Sequence, residues 1–176
     1  PTGFVQPTGG MTSCVSCGAG MYQDQIEQAS CKACPNGQYN DDSTGPTACK
    51  SCGLGKYSDQ QGQASANSCK GCPTGTYGDA NGLNTVSLCK DCAVGMYRGG
   101  GDATTDSCAP CDTGYYQKNL GRASCLPCVP GRYQDEEGTN VCKECGVGMY
   151  RDDDISVKTC SDCESGKYQT SGTYEQ

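Results

Sequence analysis

The sequence predicts a small disulfide-rich fold, mostly irregular with short β-hairpins, strung as an elongated, solenoid-like tandem-repeat ladder with no large hydrophobic core. Three observations predict it. The phrase Cys-x-x-Cys-x-x-Gly-x-Tyr recurs nine times, at steps of 17 to 20 residues, and a fixed period decides architecture before any local signal does. Cysteine makes up 18 of 176 residues, a density that marks a disulfide scaffold. Leu, Ile, Val and Phe together number 16, and Trp is absent, so too little apolar surface exists to offset the chain's ordering entropy through one core.

The first Cys of each pair stands at 14, 31, 49, 69, 89, 108, 125, 142 and 160. Glycine follows the second Cys by three places (Gly20, Gly37, Gly55, Gly75, Gly95, Gly114, Gly131, Gly148, Gly166) and Tyr by five (Tyr22, Tyr39, Tyr57, Tyr77, Tyr97, Tyr116, Tyr133, Tyr150, Tyr168). The array is read as continuous over 1–176, with about nine to ten repeats and boundaries near 17, 34, 52, 72, 92, 111, 128, 145 and 163. Gly-x-Tyr reads as a short extended stretch. Asp follows the Tyr by two places in six copies (Asp24, Asp41, Asp59, Asp79, Asp135, Asp152). Gly, Asn, Ser and Thr then crowd the middle of each copy and supply turns. Each copy is therefore expected to be a small hairpin with strands of two to four residues. The glycine permits a positive φ or a close backbone approach. The Tyr ring is expected to cover the local disulfide and turn with its hydroxyl wet, rather than to form a row that grips a partner.

Sequence alone does not fix disulfide connectivity. The repeat favours joining the second Cys of each pair to the first of the next: Cys17–Cys31, Cys34–Cys49, Cys52–Cys69, Cys72–Cys89, Cys92–Cys108, Cys111–Cys125, Cys128–Cys142 and Cys145–Cys160. Each such loop stabilises by about 3 kcal/mol on the chain-entropy account. This pattern leaves Cys14 and Cys163, which are expected to bond outside the chain, to further repeats or to another subunit. The opening Pro1-Thr2-Gly3 repeats Pro73-Thr74-Gly75, so the array is expected to continue past both ends. Val5 takes the usual Tyr place there, with Phe4 beside it.

The run Cys-x-x-Cys-x-x-Gly-x-Tyr, as in Cys31 to Tyr39 and Cys69 to Tyr77, resembles the ephrin-receptor-like cysteine-rich repeat. Its Cys-x-x-Gly-x-Tyr…Cys loop is similar to the first submodule of tumour-necrosis-factor-receptor cysteine-rich domains. The resemblance spans nearly the whole chain. It implies an extracellular, disulfide-laddered rod and supports the second-to-first pairing. The chain departs from tumour-necrosis-factor-receptor domains in repeating one simple unit, where those alternate submodules with interlocked disulfides.

Other chemistries fit less well. Cys-x-x-Cys pairs at this spacing also occur in zinc sites, but four-Cys sites take pairs two at a time, and nine pairs leave one over. Zinc also gives no reason for the fixed Gly and Tyr. A thioredoxin-like motif needs one pair in a βαβ context. There is no His, which removes the commonest general base. Paired carboxylates at Asp41-Asp42, Asp135-Glu136-Glu137 and Asp152-Asp153-Asp154 lack a core to tune them, and none matches a calcium-binding loop. They read as solvated turn acids. No enzyme activity, cofactor or metal is expected. Net charge is −7, which argues against nucleic acid and anionic membranes as partners. No run of 18 apolar residues occurs, so direct membrane insertion is not expected. Asn-x-Ser/Thr sequons are absent; only Asn67-Ser68-Cys69 and Asn140-Val141-Cys142 appear, while O-glycans on the many turn Ser and Thr are expected.

Dense disulfides place the chain outside the cell or on its surface. The function expected is structural: a filament, fibre or cell-surface stalk, built by head-to-tail or lateral self-association. The alternative is a receptor-like or adhesive ectodomain that binds a protein ligand. That alternative calls for one repeat with a singular exposed apolar patch, and the longest loops, 52–69 and 72–89, are where it would be sought.

Overall fold

A computed structural model of the chain describes residues 1–10, 13–100, 106–152, 154, 158–165, 167–170 and 173–175. The repeat glycine Gly166 and the acidic Asp153 lie outside the described residues. The described residues hold ten antiparallel two-stranded hairpins and two single-turn 3-10 helices, Ala66–Ser68 and Val86–Leu88. None of their helices is long and apolar enough to cross a membrane. The expected hairpins are therefore present, with strands at the short end of the expected range. In each repeat the Tyr strand pairs with the residues that follow the next first Cys: Met21–Tyr22 with Lys32–Ala33, Gln38–Tyr39 with Lys50–Ser51, and so on to Met149–Tyr150 with Ser161–Asp162. In these hairpins Tyr stands opposite the residue just after that Cys, as in Tyr22 opposite Lys32 and Tyr116 opposite Leu126, whereas Tyr168 of the last copy stands opposite Glu175. Strands of two residues offer few ladder bonds, so the hairpins need outside support.

Eight disulfides supply part of it. The second Cys of one pair joins the first Cys of the next, from Cys17–Cys31 through Cys145–Cys160, with Cα atoms 5.7–5.8 Å apart. In the first six the second Cys is the buried end, since Cys17, Cys34, Cys52, Cys72, Cys92 and Cys111 have no solvent contact, whereas Cys145 is half-buried. Beyond cystine, Val5, Pro46 and Leu83 are the buried apolar side chains among the described residues. Cystine thus takes the place of an apolar interior within each repeat, as the low apolar content requires.

The chain divides into two compact units. One consists chiefly of Pro1–Pro73 and Tyr77–Lys90, the other of Thr74–Thr76, Asp91–Gly100 and Cys108–Gln176. Each holds four of the eight disulfides, and the same backbone scheme runs through each. The repeat glycine donates its amide to the carbonyl of the residue after Tyr in the following repeat. In the first unit these bonds are Gly3 to Gln23, Gly20 to Asn40, Gly37 to Ser58 and Gly55 to Gly78, at 2.7–2.8 Å. In the second they are Gly75 to Arg98, Gly95 to Gln117, Gly114 to Gln134 and Gly131 to Arg151, at 2.7–2.8 Å. The carbonyl of the same glycine accepts the amide of the following second Cys, as in Cys34 N–H to Gly20 O at 2.9 Å and Cys111 N–H to Gly95 O at 2.8 Å. A single glycine thus has both backbone groups satisfied by the next repeat.

That glycine also explains its own identity. Its φ lies between 72° and 85° in the nine described copies, counting Gly3, a region that side-chain-bearing residues enter at a cost. At Gly37 an added Cβ would lie 2.2 Å from the carbonyl oxygen of Gly82. Gly82 belongs to the loop two repeats ahead. Gly75 meets Gly121 in the same way in the second unit. Within each unit a repeat thus touches its immediate neighbour and also the next but one. The reason is geometric. Strands this short leave most of each repeat as loop, and the loop folds back over the preceding repeats, with Gly62 N–H donating to Cys34 O and Gly82 N–H to Cys52 O at 2.8 Å.

Candidate functional site

The most buried side chains after cystine are polar, and all stand directly after the repeat Tyr. Gln23, Asn40, Ser58, Arg98, Gln117, Gln134 and Arg151 are each 1–4 % exposed, and Gly78 takes the place in the fourth copy. Buried polar groups require partners, and here the partners depend on loop length. Where the bridged cysteines are 14 apart, the residue is always Gln. Each Gln spans its own loop. The amide nitrogens of Gln23, Gln117 and Gln134 donate to the carbonyls of Ser30, Ser124 and Val141 at 2.7 Å. Their oxygens accept the backbone amides of Gln25, Asn119 and Glu136 at 3.0–3.1 Å.

At separations of 15 and 16 the side chain turns back to the preceding repeat. Asn40 donates to Met21 O at 2.7 Å, Arg151 to Arg132 O at 2.8 Å, and Arg98 to Thr76 O. All three acceptors occupy the place before the repeat Tyr. At a separation of 17 the residue is small, Ser58 or Gly78. The longer loop forms a 3-10 turn and supplies its own filling: a Cβ on Gly78 would lie 2.8 Å from Leu83 Cδ1.

A second constellation clasps the outside of the hairpins. Lys follows the first Cys in five repeats, and in those five Asp stands two places after the opposing Tyr. The pairs Lys32–Asp24, Lys50–Asp41, Lys70–Asp59, Lys90–Asp79 and Lys143–Asp135 are 2.5–2.9 Å apart. Lys32 and Lys70 lie over the rings of Tyr22 and Tyr57, 5.8 and 5.9 Å from the centroids. The hydrogen bond from Lys holds each of these Asp carboxyls below its ordinary value. Lys143, bonded to both Asp135 and Glu136, is pushed up to about 12. Every repeat Tyr from Tyr22 to Tyr150 is half-buried.

Of the other residues singled out by sequence, Cys14 is an exposed free thiol and Cys163 a half-buried one. The acidic clusters act locally. Asp42 caps a turn at Thr44 N–H and Oγ1, and Asp152 accepts the amide of Asp154. Among the described residues no three His, Cys, Asp or Glu side chains converge as a metal site would require. Loop 72–89 does expose Val86 and Leu88, yet its hairpin keeps the Lys90–Asp79 clasp. Three hairpins between Tyr22 and Tyr150 lack the clasp: Tyr97 faces Ala109, Tyr150 faces Ser161, and the Tyr116 hairpin goes further by reversing the charge. Opposite Tyr116 stands Leu126, and Lys118 takes the Asp place. Beside this ring is a cleft of about 270 Å³, walled by Val129, Val141, Arg132 and the Cys142 end of a disulfide.

The place after Tyr and the Lys–Asp pairing were not read from the sequence. Their signals were present: Gln wherever the loop is shortest, and Asp two places after Tyr wherever Lys follows the next first Cys. No curated protein matches the chain. The family model described as tyrosine-protein kinase ephrin type A/B receptor-like matches residues 3–45, 100–139 and 121–158. With more than half its length matched, and eight disulfides closing successive copies of one Cys-Gly-Tyr unit, the chain belongs to the ephrin-receptor-like cysteine-rich repeat family.

Proposed function

We propose that the chain is an extracellular, non-catalytic structural array whose copies associate into a filament, fibre or cell-surface stalk. One observation carries this reading. The same glycine-centred bonds recur in four consecutive repeats of each unit, so the sequence is spent on connecting repeats and not on enclosing a reaction site. Contacts made only along a chain suit a load-transmitting scaffold. Disulfide density suits an oxidising compartment. Cys14 and Cys163 are the proposed points of covalent linkage beyond the chain, and O-glycans on exposed Ser and Thr are proposed to coat it. Electron microscopy of material from its natural source tests the reading: regular filaments or fibres support it, and separate particles at all concentrations contradict it.

A receptor-like or adhesive ectodomain is the second reading, favoured by membership in a receptor-like repeat family. It requires saturable binding of a soluble protein ligand by monomeric chains, measured by surface plasmon resonance on immobilised protein.

A further inference from the structure

The Tyr116 hairpin reverses the charge scheme of the clasped hairpins. Leu126 replaces the Lys, Lys118 replaces the Asp, and the ring fronts an open cleft. Val129 and Val141 in its walls are 58 % and 56 % exposed. Lys118 is exposed and has no acidic partner among the described residues. Arg132 gives one nitrogen to Glu144 at 2.6 Å and has further N–H groups to offer. Residues 108–134 carry Lys118, Arg122 and Arg132 against Asp112 alone, in a chain of net charge −7. An aliphatic cleft edged by cations complements an aliphatic side chain next to a carboxylate.

The chain carries such a pair at the tip of its Cys17–Cys31 loop. Ile26 is 59 % exposed. Glu27 follows it with a φ of 60°, where the matching places of two other short loops hold Gly121 and Gly138 at 66° and 69°. Glutamate seldom adopts this backbone, and here it sets a carboxylate beside an exposed isoleucine. Glu27 has no ion-pair partner among the described residues, whereas nearby Asp24 is held by Lys32.

We propose that Ile26–Glu27 of one copy docks into the Tyr116–Val141 cleft of a second copy, with Ile26 against Val129 and Val141 and Glu27 on Lys118 and Arg132. The proposal rests on the assembly reading above and names its contact. The two surfaces differ, so the contact is heterologous: every copy keeps one loop and one cleft for the next, and growth continues unless the ring closes. Overall repulsion between acidic copies is screened beyond about 8 Å at physiological ionic strength, while an ion pair partly buried in a docked contact is screened much less.

The test is sedimentation velocity of the oxidised 176-residue chain at physiological salt, beside Glu27→Lys, Glu27→Gly and Lys118→Glu variants. Wild type is expected to associate with increasing concentration. Each variant alone is expected to weaken association at least ~10-fold, and an equimolar mixture of Glu27→Lys with Lys118→Glu to restore it, because each supplies the surface the other lacks. Glu27→Gly relieves the backbone, so its loss of association cannot come from misfolding. Association untouched by all three variants overturns this contact and leaves the assembly reading standing. A chain that stays monomeric overturns the contact, and absence of filaments in native material would then overturn the assembly reading too. A monomer that binds a sulfated oligosaccharide only while Lys118 is intact gives the cleft to a glycan and overturns the proposal.

Discussion

The three short loops (Cys17–Cys31, Cys111–Cys125, Cys128–Cys142) and the two long ones (Cys52–Cys69, Cys72–Cys89) fill the same interior place by opposite means. A loop of separation 14 is too short to fold inward, so a Gln reaches across and ties its two sides together. A loop of separation 17 has residues to spare. It folds a 3-10 turn, and in the Cys72–Cys89 loop it sends Leu83 into the space that Gly78 leaves open. The comparison teaches that the residue after Tyr is matched to loop length. Polar filling serves where a side chain can reach two backbone groups, and apolar filling serves where the loop supplies it.

The largest effect is expected at the element both loop classes share. Gly37→Ala forces a Cβ to 2.2 Å from Gly82 O at a φ of 81°, and should destabilise by on the order of 3 kcal/mol. Gly53→Ala, at a glycine with nothing within 4 Å and no positive φ, is the control and should leave the urea midpoint of the oxidised protein unchanged. Next, Leu83→Ala should cost about 2 kcal/mol by the same measurement, because it empties the filling of a long loop. Gln134→Ala should cost about 1–2 kcal/mol, since it leaves the Val141 carbonyl and the Glu136 amide without their partner. The sharpest form of the comparison is the exchange. Ser58→Gln adds volume to a filled long loop and should destabilise, while Gln134→Ser should be no better than Gln134→Ala.

Much of the fold could be read before the structure because its determinants sit at fixed offsets. Cys, Gly and Tyr keep one spacing through nine copies, and each has a single physical reason to be there. The interior position after Tyr was hidden for the opposite reason. It changes identity among Gln, Asn, Ser, Gly and Arg, and a buried polar residue in an otherwise exposed chain runs against the usual apolar-in pattern. The Asp two places after Tyr was visible, but its Lys lies 8 to 11 residues away across the hairpin, and only the register brings them together. The charge reversal at Tyr116 falls in a short loop, so loop length gave no sign of it; the long loop 52–69 has a cleft of its own, about 360 Å³, walled by Tyr39, Leu54, Lys56 and Cys69.

The smallest effects belong to the exposed clasps. Their Asp carboxyls are held below the ordinary value by the Lys hydrogen bonds. A lowered folded-state pKa stabilises above the ordinary carboxylate range, and the contribution disappears as pH falls through the folded value, below pH ~4. On the basic side Lys143 contributes below the ordinary lysine value and loses its contribution as pH rises through about 12. With no His in the chain, the thermal midpoint should be nearly flat between pH ~5 and ~9 and fall only gently on acidification. Lys70→Ala should leave that profile within error, since exposed pairs are screened by solvent.

Amide hydrogen exchange at the repeat glycines tests the central claim most directly. In the oxidised chain Gly20, Gly37, Gly55, Gly95 and Gly114 should exchange slowly, because each amide is bonded into the following repeat. After full reduction of the cystines, with no metal present, all five should exchange at the rate of an unstructured peptide. Slow exchange that persists with every thiol reduced would contradict the account.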